Sequence, residues 1–170
     1  MAYEAELGNL LIILNRRSVL AGILGVSLTA GLPYGAPAQA ASEPEILTAP
    51  EALRKVAAGE LILIDVRSEK EWRETGIPKG ALAISIHDPR GKTGFLEKVR
   101  AAIGGTSDKP VATICAAGVR SDRTQIWLLE AGYQPVMNVR EGMLGRWRPL
   151  EPAQPGWLKR GLPTEPWKGG

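Results

Sequence analysis

Cysteine and histidine are almost absent from this chain of 170 residues, which contains one of each. A single cysteine cannot close an intramolecular disulfide, and it cannot form the cysteine-rich ligand sets of structural zinc sites or iron–sulfur clusters. A large excess of either charge is also lacking, since the chain has 21 Lys and Arg residues and 18 Asp and Glu residues. The net charge of +3 is too small and too evenly spread for a nucleic-acid-binding face. We therefore expect no metal site and no nucleic-acid partner.

The chain also lacks an apolar run long enough to cross a membrane. Arg16 and Arg17 precede an uncharged segment, residues 18–32, that is shorter than the roughly 20 residues a membrane-spanning helix needs. Small residues at 38–40 then resemble a cleavage site, so residues 1–40 are predicted to be a secretory signal peptide. The paired arginines resemble a twin-arginine signal, and a general secretory signal stays open. A buried N-terminal helix is the alternative.

The signal peptide predicts that the protein is periplasmic or otherwise exported. Once the signal is cleaved, we expect no stable membrane insertion. Residues 41–170 then form a single domain. The whole sequence has the composition of an ordinary globular protein, with 44% hydrophobic and 23% charged residues. These proportions exclude a disordered chain, a collagen-like fibre and a coiled coil.

Apolar segments and helix start signals alternate along residues 41–170. Strands are predicted at Leu61–Val66, whose continuous apolar run is typical of a strand buried on both faces, and at 81–86, 111–114 and 136–139. Capping boxes of Ser or Thr with Glu start two helices, and apolar spacing predicts two more. These helix signals lie at Thr48–Glu51, Ser68–Glu71, 95–103 and 121–132. The first helix is expected to open the domain.

Strands that alternate with helices predict an α/β fold with three layers. We expect an open parallel sheet of about five strands with helices on both faces. Trp72, Trp127 and Trp147 are expected to pack against this framework, whereas Trp157 and Trp167 are expected to pin the C-terminal tail to its surface.

The lone cysteine, Cys115, directly follows the predicted strand 111–114. In open parallel sheets, ligands bind beyond the carboxyl ends of the strands and near helix N-termini. The residues after it, Ala116, Ala117 and Gly118, have almost no side chain, so their N–H groups could form a cradle around one anionic atom, the thiolate sulfur. Hydrogen bonds to a charged acceptor, about 1.5–3 kcal/mol each, outweigh a helix dipole of about 0.3–1 kcal/mol.

Val119 and Arg120 complete the pattern C-x-x-x-x-R-S, and Ser121 is expected to begin the next helix. Arg120 is predicted to bind an anionic substrate at the mouth of the loop. The alternative is that Cys115 is simply a small buried core residue, the usual fate of a free cysteine. A lone thiol in an exported protein faces oxidation, which favours a chemical role.

In their order and spacing, these residues together resemble the rhodanese family, the sulfurtransferases that carry sulfane sulfur on a cysteine persulfide. The resemblance covers nearly all of residues 41–170. The segments that carry it are Asp65-Val66-Arg67 with Glu71-Trp72, Ile77-Pro78-Lys79-Gly80-Ala81, Cys115 to Ser121, and Glu141-Gly142 with Trp157 to Pro163.

The resemblance implies a sulfurtransferase in which Cys115 takes sulfur from a small donor such as thiosulfate and passes it to cyanide or a thiol. It implies no cofactor, and a protein partner is not identified. Asp65, Arg67 and Ser121 are implied to be supporting residues. Sulfurtransferases that prefer thiosulfate often have a basic residue in this loop, whereas Ala116, Ala117 and Val119 are uncharged here, so Arg120 is expected to act alone.

Four departures from the family pattern concern substrate preference. Gly76 replaces a usual histidine, Lys79 is an extra residue, and Glu141 replaces the first glycine of a pair. A proline-rich insertion near 144–156 is also present and is expected to border the site. His87, the only histidine, is interpreted as a surface loop residue, with a Cys–His catalytic pair as the alternative.

Two other functions compete with sulfur transfer. Cysteine-dependent phosphatases and arsenate reductases need one more residue between cysteine and arginine, because their loop encloses a tetrahedral oxyanion. A loop with four residues between Cys115 and Arg120 suits a single sulfur atom. The second alternative is a non-catalytic rhodanese-like module in the periplasm that binds a partner or senses redox state.

Overall fold

Strands and helices alternate along the part of the chain that the computed structural model describes, residues 45–105 and 107–169. The predicted signal peptide, residues 1–40, lies outside this part. In chain order the elements are β1 Glu45–Leu47, α1 Ala49–Ala57, β2 Ile62–Asp65, α2 Glu69–Thr75, β3 Ile77–Pro78, β4 Leu82–Ala83, α3 Gly91–Ile103, β5 Val111–Ile114, α4 Val119–Glu130, β6 Val136–Val139 and β7 Thr164–Glu165.

The main sheet has five parallel strands in the order β1-β6-β5-β2-β4. Its register aligns the last residues of the three central strands, because Ile114 pairs with Asp65 on one side and with Val139 on the other. The segments that follow these strands therefore meet at one edge of the sheet, the carboxyl edge. This edge is where ligands bind in open parallel sheets.

Buried side chains on the two faces of the sheet form two cores. Along β2, Leu63 packs into the core that contains α1, and Ile64 packs into the core that contains α3 and α4. This alternation is the period of two of an extended strand, and it explains the continuous apolar run in the sequence. The predicted α/β fold with a five-stranded parallel sheet and helices on both faces is confirmed.

Several predicted boundaries were wrong. A strand, β1, opens the described chain before α1, and the strand predicted at 81–86 is reduced to Leu82–Ala83. Helix α3 begins at Gly91 and not at residue 95. Helix α4 begins at Val119 with Gly118 as its N-cap, so Ser121 lies within the first turn and does not start the helix. A second sheet, in which β3 pairs antiparallel with β7, was not predicted.

The tryptophans differ in their environment. Trp72 is buried and its ring centroid lies 5.3 Å from that of Trp167, while Trp127 packs on Phe95 at 5.8 Å. Trp167 thus holds the C-terminal segment on α2, as expected, and Trp157 anchors the same segment by packing, fully buried, into the core that contains α1. The prediction for Trp147 was wrong, because 73% of this residue is exposed.

Among the described helices, none combines the length and the apolar character that crossing a membrane requires.

Candidate functional site

Cys115 follows β5 directly at the carboxyl edge of the sheet. It continues the alternation of the strand into the core formed with α3 and α4, and only 1% of the residue is exposed. Buried free cysteines are common as packing residues. The polar contacts of the Cys115 sulfur distinguish it from a cysteine that serves only for packing.

Two groups donate hydrogen bonds to the Cys115 sulfur. The backbone N–H of Gly118 lies 3.1 Å from Sγ. The hydroxyl of Ser121 lies 3.4 Å from Sγ and 3.0 Å from the carbonyl oxygen of Gly118, and its single proton serves one of these acceptors at a time. Both donors would stabilise a thiolate or persulfide at this position. Of the three predicted loop amides, that of Gly118 is the one in contact with sulfur.

The segment after β6 holds this loop from the other side. Met143 and Leu144 donate their N–H groups to the carbonyl oxygens of Cys115 and Ala116, each at 2.8 Å. Gly142 has φ +64° at this contact, and a Cβ on it would lie 2.5 Å from both carbonyl oxygens. Gly118 has φ +92°, and a Cβ there would lie 2.3 Å from the carbonyl oxygen of Arg140. Two glycines therefore let the two segments meet backbone to backbone.

Asp65 and Arg67 form a buried ion pair at the end of β2. Arg67 Nη2 lies 2.7 Å from Asp65 Oδ2, and Arg67 Nε lies 3.0 Å from both carboxylate oxygens. The guanidinium also donates to the Thr75 hydroxyl at 2.8 Å and to the Gly76 carbonyl at 2.7 Å. The pair thus ties β2 to the end of α2. This placement fits the supporting role expected for both residues.

Arg120 is engaged by a carboxylate. Its Nη2 and Nη1 donate to the two carboxylate oxygens of Glu71 at 2.6 and 2.7 Å. The hydrogen bond from Arg120, with smaller contributions from Ser68, lowers the pKa of Glu71 to about 2 against the cost of partial burial. The hydrogen bond from Glu71 likewise raises the pKa of Arg120. An anionic substrate would have to compete with Glu71 for the guanidinium that was predicted to bind it.

His87 lies at the margin of the site. Its Nε2 is 3.4 Å from Nη1 of Arg120, and the residue is exposed. The exposed loop position agrees with the interpretation as a surface histidine, and its nearness to Arg120 was not predicted. Within residues 45–105 and 107–169, no three His, Cys, Asp or Glu side chains cluster in a way that could hold a metal ion.

The remaining predicted loop residues have different surroundings. Ala116 is half-buried and Ala117 is exposed, while 69% of Val119 is exposed. The sequence did not identify Arg146, whose Nη1 lies 3.0 Å from where a Gly118 Cβ would be. The one sequence feature that could have indicated Arg146 is its position in the proline-rich insertion, which was expected to border the site.

The model of the rhodanese-like domain matches residues 48–147, more than half of the chain. The chain belongs to the rhodanese family.

Two curated relatives of this rhodanese domain are tRNA uridine(34) hydroxylases. That of Acinetobacter baumannii (strain AYE) is 30% identical over 104 residues, which are 60% of this chain and 31% of the relative. That of Xanthomonas axonopodis pv. citri (strain 306) is 33% identical over 85 residues, 50% of this chain and 33% of the relative. The chain spans about a third of the length of these relatives.

Two solved structures share the rhodanese fold at higher coverage of this chain. The crystal structure of Rv0390 from M. tuberculosis has a TM-score of 0.58 and 27% identity, over 73% of this chain and 98% of that one. The crystal structure of a probable thiosulfate sulfurtransferase has a TM-score of 0.51 and 28% identity, over 71% of this chain and 47% of that one.

Proposed function

We propose that this rhodanese domain is a sulfurtransferase that carries sulfane sulfur on Cys115. The observation that carries the proposal is the sulfur of Cys115, placed at the carboxyl edge of the sheet and accepting the Gly118 N–H at 3.1 Å. With four residues between Cys115 and Arg120, the loop suits one sulfur atom better than a tetrahedral oxyanion. The similarity to a probable thiosulfate sulfurtransferase supports the same reaction.

The proposed reaction has two displacements. The Cys115 thiolate attacks the outer sulfur of thiosulfate, an S–S bond forms to Cys115, and the S–S bond of thiosulfate breaks to release sulfite. Cyanide then attacks the outer sulfur of the persulfide. A C–S bond forms, the S–S bond to Cys115 breaks, and the products are thiocyanate and the Cys115 thiolate. The Gly118 N–H and the Ser121 hydroxyl stabilise the negative charge on sulfur before and after each displacement.

Mass spectrometry tests the first displacement and thiocyanate release tests the second. Protein treated with thiosulfate should gain the mass of one sulfur atom on Cys115, and cyanide should remove it as thiocyanate. The Cys115→Ser variant keeps a side chain of similar size that can still hydrogen-bond. It should neither gain sulfur from thiosulfate nor release thiocyanate. Equal thiocyanate formation by the variant and the wild type would overturn the proposal.

We also propose that the reaction takes place outside the cytoplasm, on the strength of the signal-like residues 1–40. Protein recovered from the periplasm should begin at or near Ala41. Recovery of the uncleaved chain in the cytoplasm alone would contradict export, and it would leave the sulfur chemistry to be judged separately.

A further inference from the structure

The carboxylate of Glu71 holds the cation at the end of the cysteine loop. Both terminal nitrogens of Arg120 donate to it, at 2.6 and 2.7 Å, and 26% of each side chain is exposed. Its Oε2 atom also accepts the N–H and the hydroxyl of Ser68, at 3.0 and 2.7 Å. Because the helix cap fixes Glu71 in this position, a ligand that took Arg120 from it would have to break an ion pair with a pre-ordered partner.

Arg120 lies within electrostatic reach of the Cys115 sulfur. The next residue in the chain is Ser121, whose hydroxyl lies 3.4 Å from Sγ. The hydrogen bond with Glu71 is the largest cause of the raised pKa of Arg120, and the negative charge of Cys115 adds to it. A donor that presents its outer sulfur to Cys115 therefore enters the field of Arg120 and Glu71 together.

The remainder of the loop supplies no positive charge. The four residues between Cys115 and Arg120 are two alanines, a glycine and a valine. Arg67, after the neighbouring strand β2, is 1% exposed and pairs with Asp65 at 2.7 Å. Both ion pairs, Asp65 with Arg67 and Glu71 with Arg120, carry no net charge, so they offer a doubly charged donor little attraction.

We propose that Glu71 determines donor specificity, because it cancels the charge of Arg120 and thereby favours sulfur donors with one negative charge over doubly charged thiosulfate. This inference rests on the proposed sulfurtransferase function and specifies the class of donor. Organic thiosulfonates belong to this class, since they carry the same outer sulfur as thiosulfate on an ion with one charge instead of two. Thiosulfate remains a donor, but the pair keeps its rate below what an unpaired Arg120 would allow.

Transfer from a thiosulfonate balances in the same way as transfer from thiosulfate. The Cys115 thiolate attacks the outer sulfur of methanethiosulfonate, and an S–S bond forms to Cys115. The S–S bond of the donor breaks, and methanesulfinate leaves with its electron pair. Both donors produce the same persulfide, but they differ in leaving group as well as in charge. The change in their relative rates between variants therefore reports the charge.

The ratio of kcat/KM for thiosulfate to kcat/KM for methanethiosulfonate, with cyanide as the acceptor, tests the role of Glu71. Glu71→Gln leaves Arg120 unpaired and should raise this ratio about fivefold, the effect of one partly exposed charge. Arg120→Gln leaves Glu71 unpaired and should lower the ratio by a similar factor. The double variant restores a neutral pair and should return the ratio to within about twofold of the wild type.

Glu69→Gln is the matched control for these variants. Glu69 lies on the same helix, is exposed, and pairs with Arg73 instead of Arg120, so its removal should leave the ratio unchanged. A disordered loop would lower kcat/KM for both donors alike, and the ratio thus separates a charge effect from a structural one. If Glu71→Gln does not fold, Arg120→Gln provides the same measurement with the opposite sign.

Ionic strength gives a second measurement of the same charge. Between about 0.01 and 0.15 M the Debye length shortens from about 30 to about 8 Å. The kcat/KM of Glu71→Gln for thiosulfate should therefore fall more steeply over this range than that of the wild type.

The outcomes distinguish this inference from the function on which it rests. If the wild type forms persulfide but the donor ratio is the same in the wild type, both single variants and the double variant, the role of Glu71 is refuted and the sulfurtransferase function stands. If the wild type forms no persulfide from either donor, the proposed function itself fails, and the role of Glu71 falls with it.

Discussion

Glu71 joins the start of α2 to the end of the cysteine loop through Arg120, with nitrogen-to-oxygen distances of 2.6 and 2.7 Å. The same carboxylate accepts the N–H and the hydroxyl of Ser68 in the capping box of α2. One side chain therefore serves both a local helix cap and a contact across 49 positions of the chain. This double use is the physical reason for the low pKa of Glu71, about 2.

The Glu71–Arg120 pair should make stability depend on pH. A carboxyl whose pKa is lowered on folding stabilises the fold above its unfolded pKa, and this contribution is lost as pH falls through the folded value. For Glu71 the window runs from its ordinary value of 4.5 down to about 2. Since the pair is partly exposed, we expect Glu71→Gln to lower the free energy of unfolding at neutral pH by about 1 kcal/mol.

Urea unfolding at a series of pH values measures this difference. Glutamine can keep the capping box, so the substitution isolates the charge. Glu69→Gln removes an exposed partner of Arg73 on the same helix and should cost at most about 0.5 kcal/mol. A difference between Glu71→Gln and wild type that is the same at pH 2 and pH 7 would contradict the assignment.

Local signals in the sequence were enough for much of the fold. Capping boxes predicted the starts of α1 and α2, because the interacting residues are three positions apart. The continuous apolar run predicted β2, since both faces of that strand are covered. Strand β1 was missed because it has three residues, two of them exposed, and depends on pairing with β6.

The site depended more on contacts between distant residues. Cys115 follows a strand and precedes small residues and a helix. From this order the sulfur was predicted to lie at the carboxyl edge of the sheet, and it does. The partner of Arg120 could not be predicted, because Glu71 already had a local explanation in the capping box. Arg146 reaches Gly118 only because the insertion folds back on the loop, and no spacing rule predicts that approach.

Gly142 should be sensitive to the addition of a single methyl group. A Cβ there would lie 2.5 Å from the carbonyl oxygens of Cys115 and Ala116, and φ is +64°. We expect Gly142→Ala to cost more than about 3 kcal/mol of unfolding free energy and to disturb persulfide formation, because the loop must move.

Gly161→Ala separates the clash from the backbone strain. Gly161 has nearly the same φ, +66°, but a Cβ on it would have no neighbour within 4 Å. Its cost should be about 1 kcal/mol, from the left-handed conformation alone. Similar denaturation midpoints for the two variants would show that close approach is not what requires glycine at position 142.

The buried pair of Asp65 and Arg67 should be far more sensitive to the loss of one partner than of both. Arg67→Met leaves a buried carboxylate without its cation and should cost about 3–5 kcal/mol. The double variant Asp65→Leu with Arg67→Met removes both charges and should recover a large part of that loss. Thermal or urea unfolding of the two variants checks the sign, and a double variant no more stable than Arg67→Met would refute it.

Ser121 should control the reactivity of the Cys115 sulfur. Its hydroxyl lies 3.4 Å from Sγ, and a hydrogen bond to a charged acceptor contributes about 1.5–3 kcal/mol. Removal of the donor in Ser121→Ala should therefore disfavour the thiolate and slow both alkylation by iodoacetamide at neutral pH and persulfide formation from thiosulfate. Because the hydroxyl also serves the Gly118 carbonyl, we expect the lower part of that range, about a tenfold decrease in rate.

Thr124→Ala is the control for this change. Thr124 lies on the next turn of α4, is buried, and bonds the carbonyl oxygens of Arg120 and Ser121 without touching the sulfur. It should alter stability but leave the alkylation rate of folded protein within about twofold of wild type. If Ser121→Ala reacts as fast as Thr124→Ala, the hydroxyl does not stabilise the thiolate, and the Gly118 N–H carries that role without it.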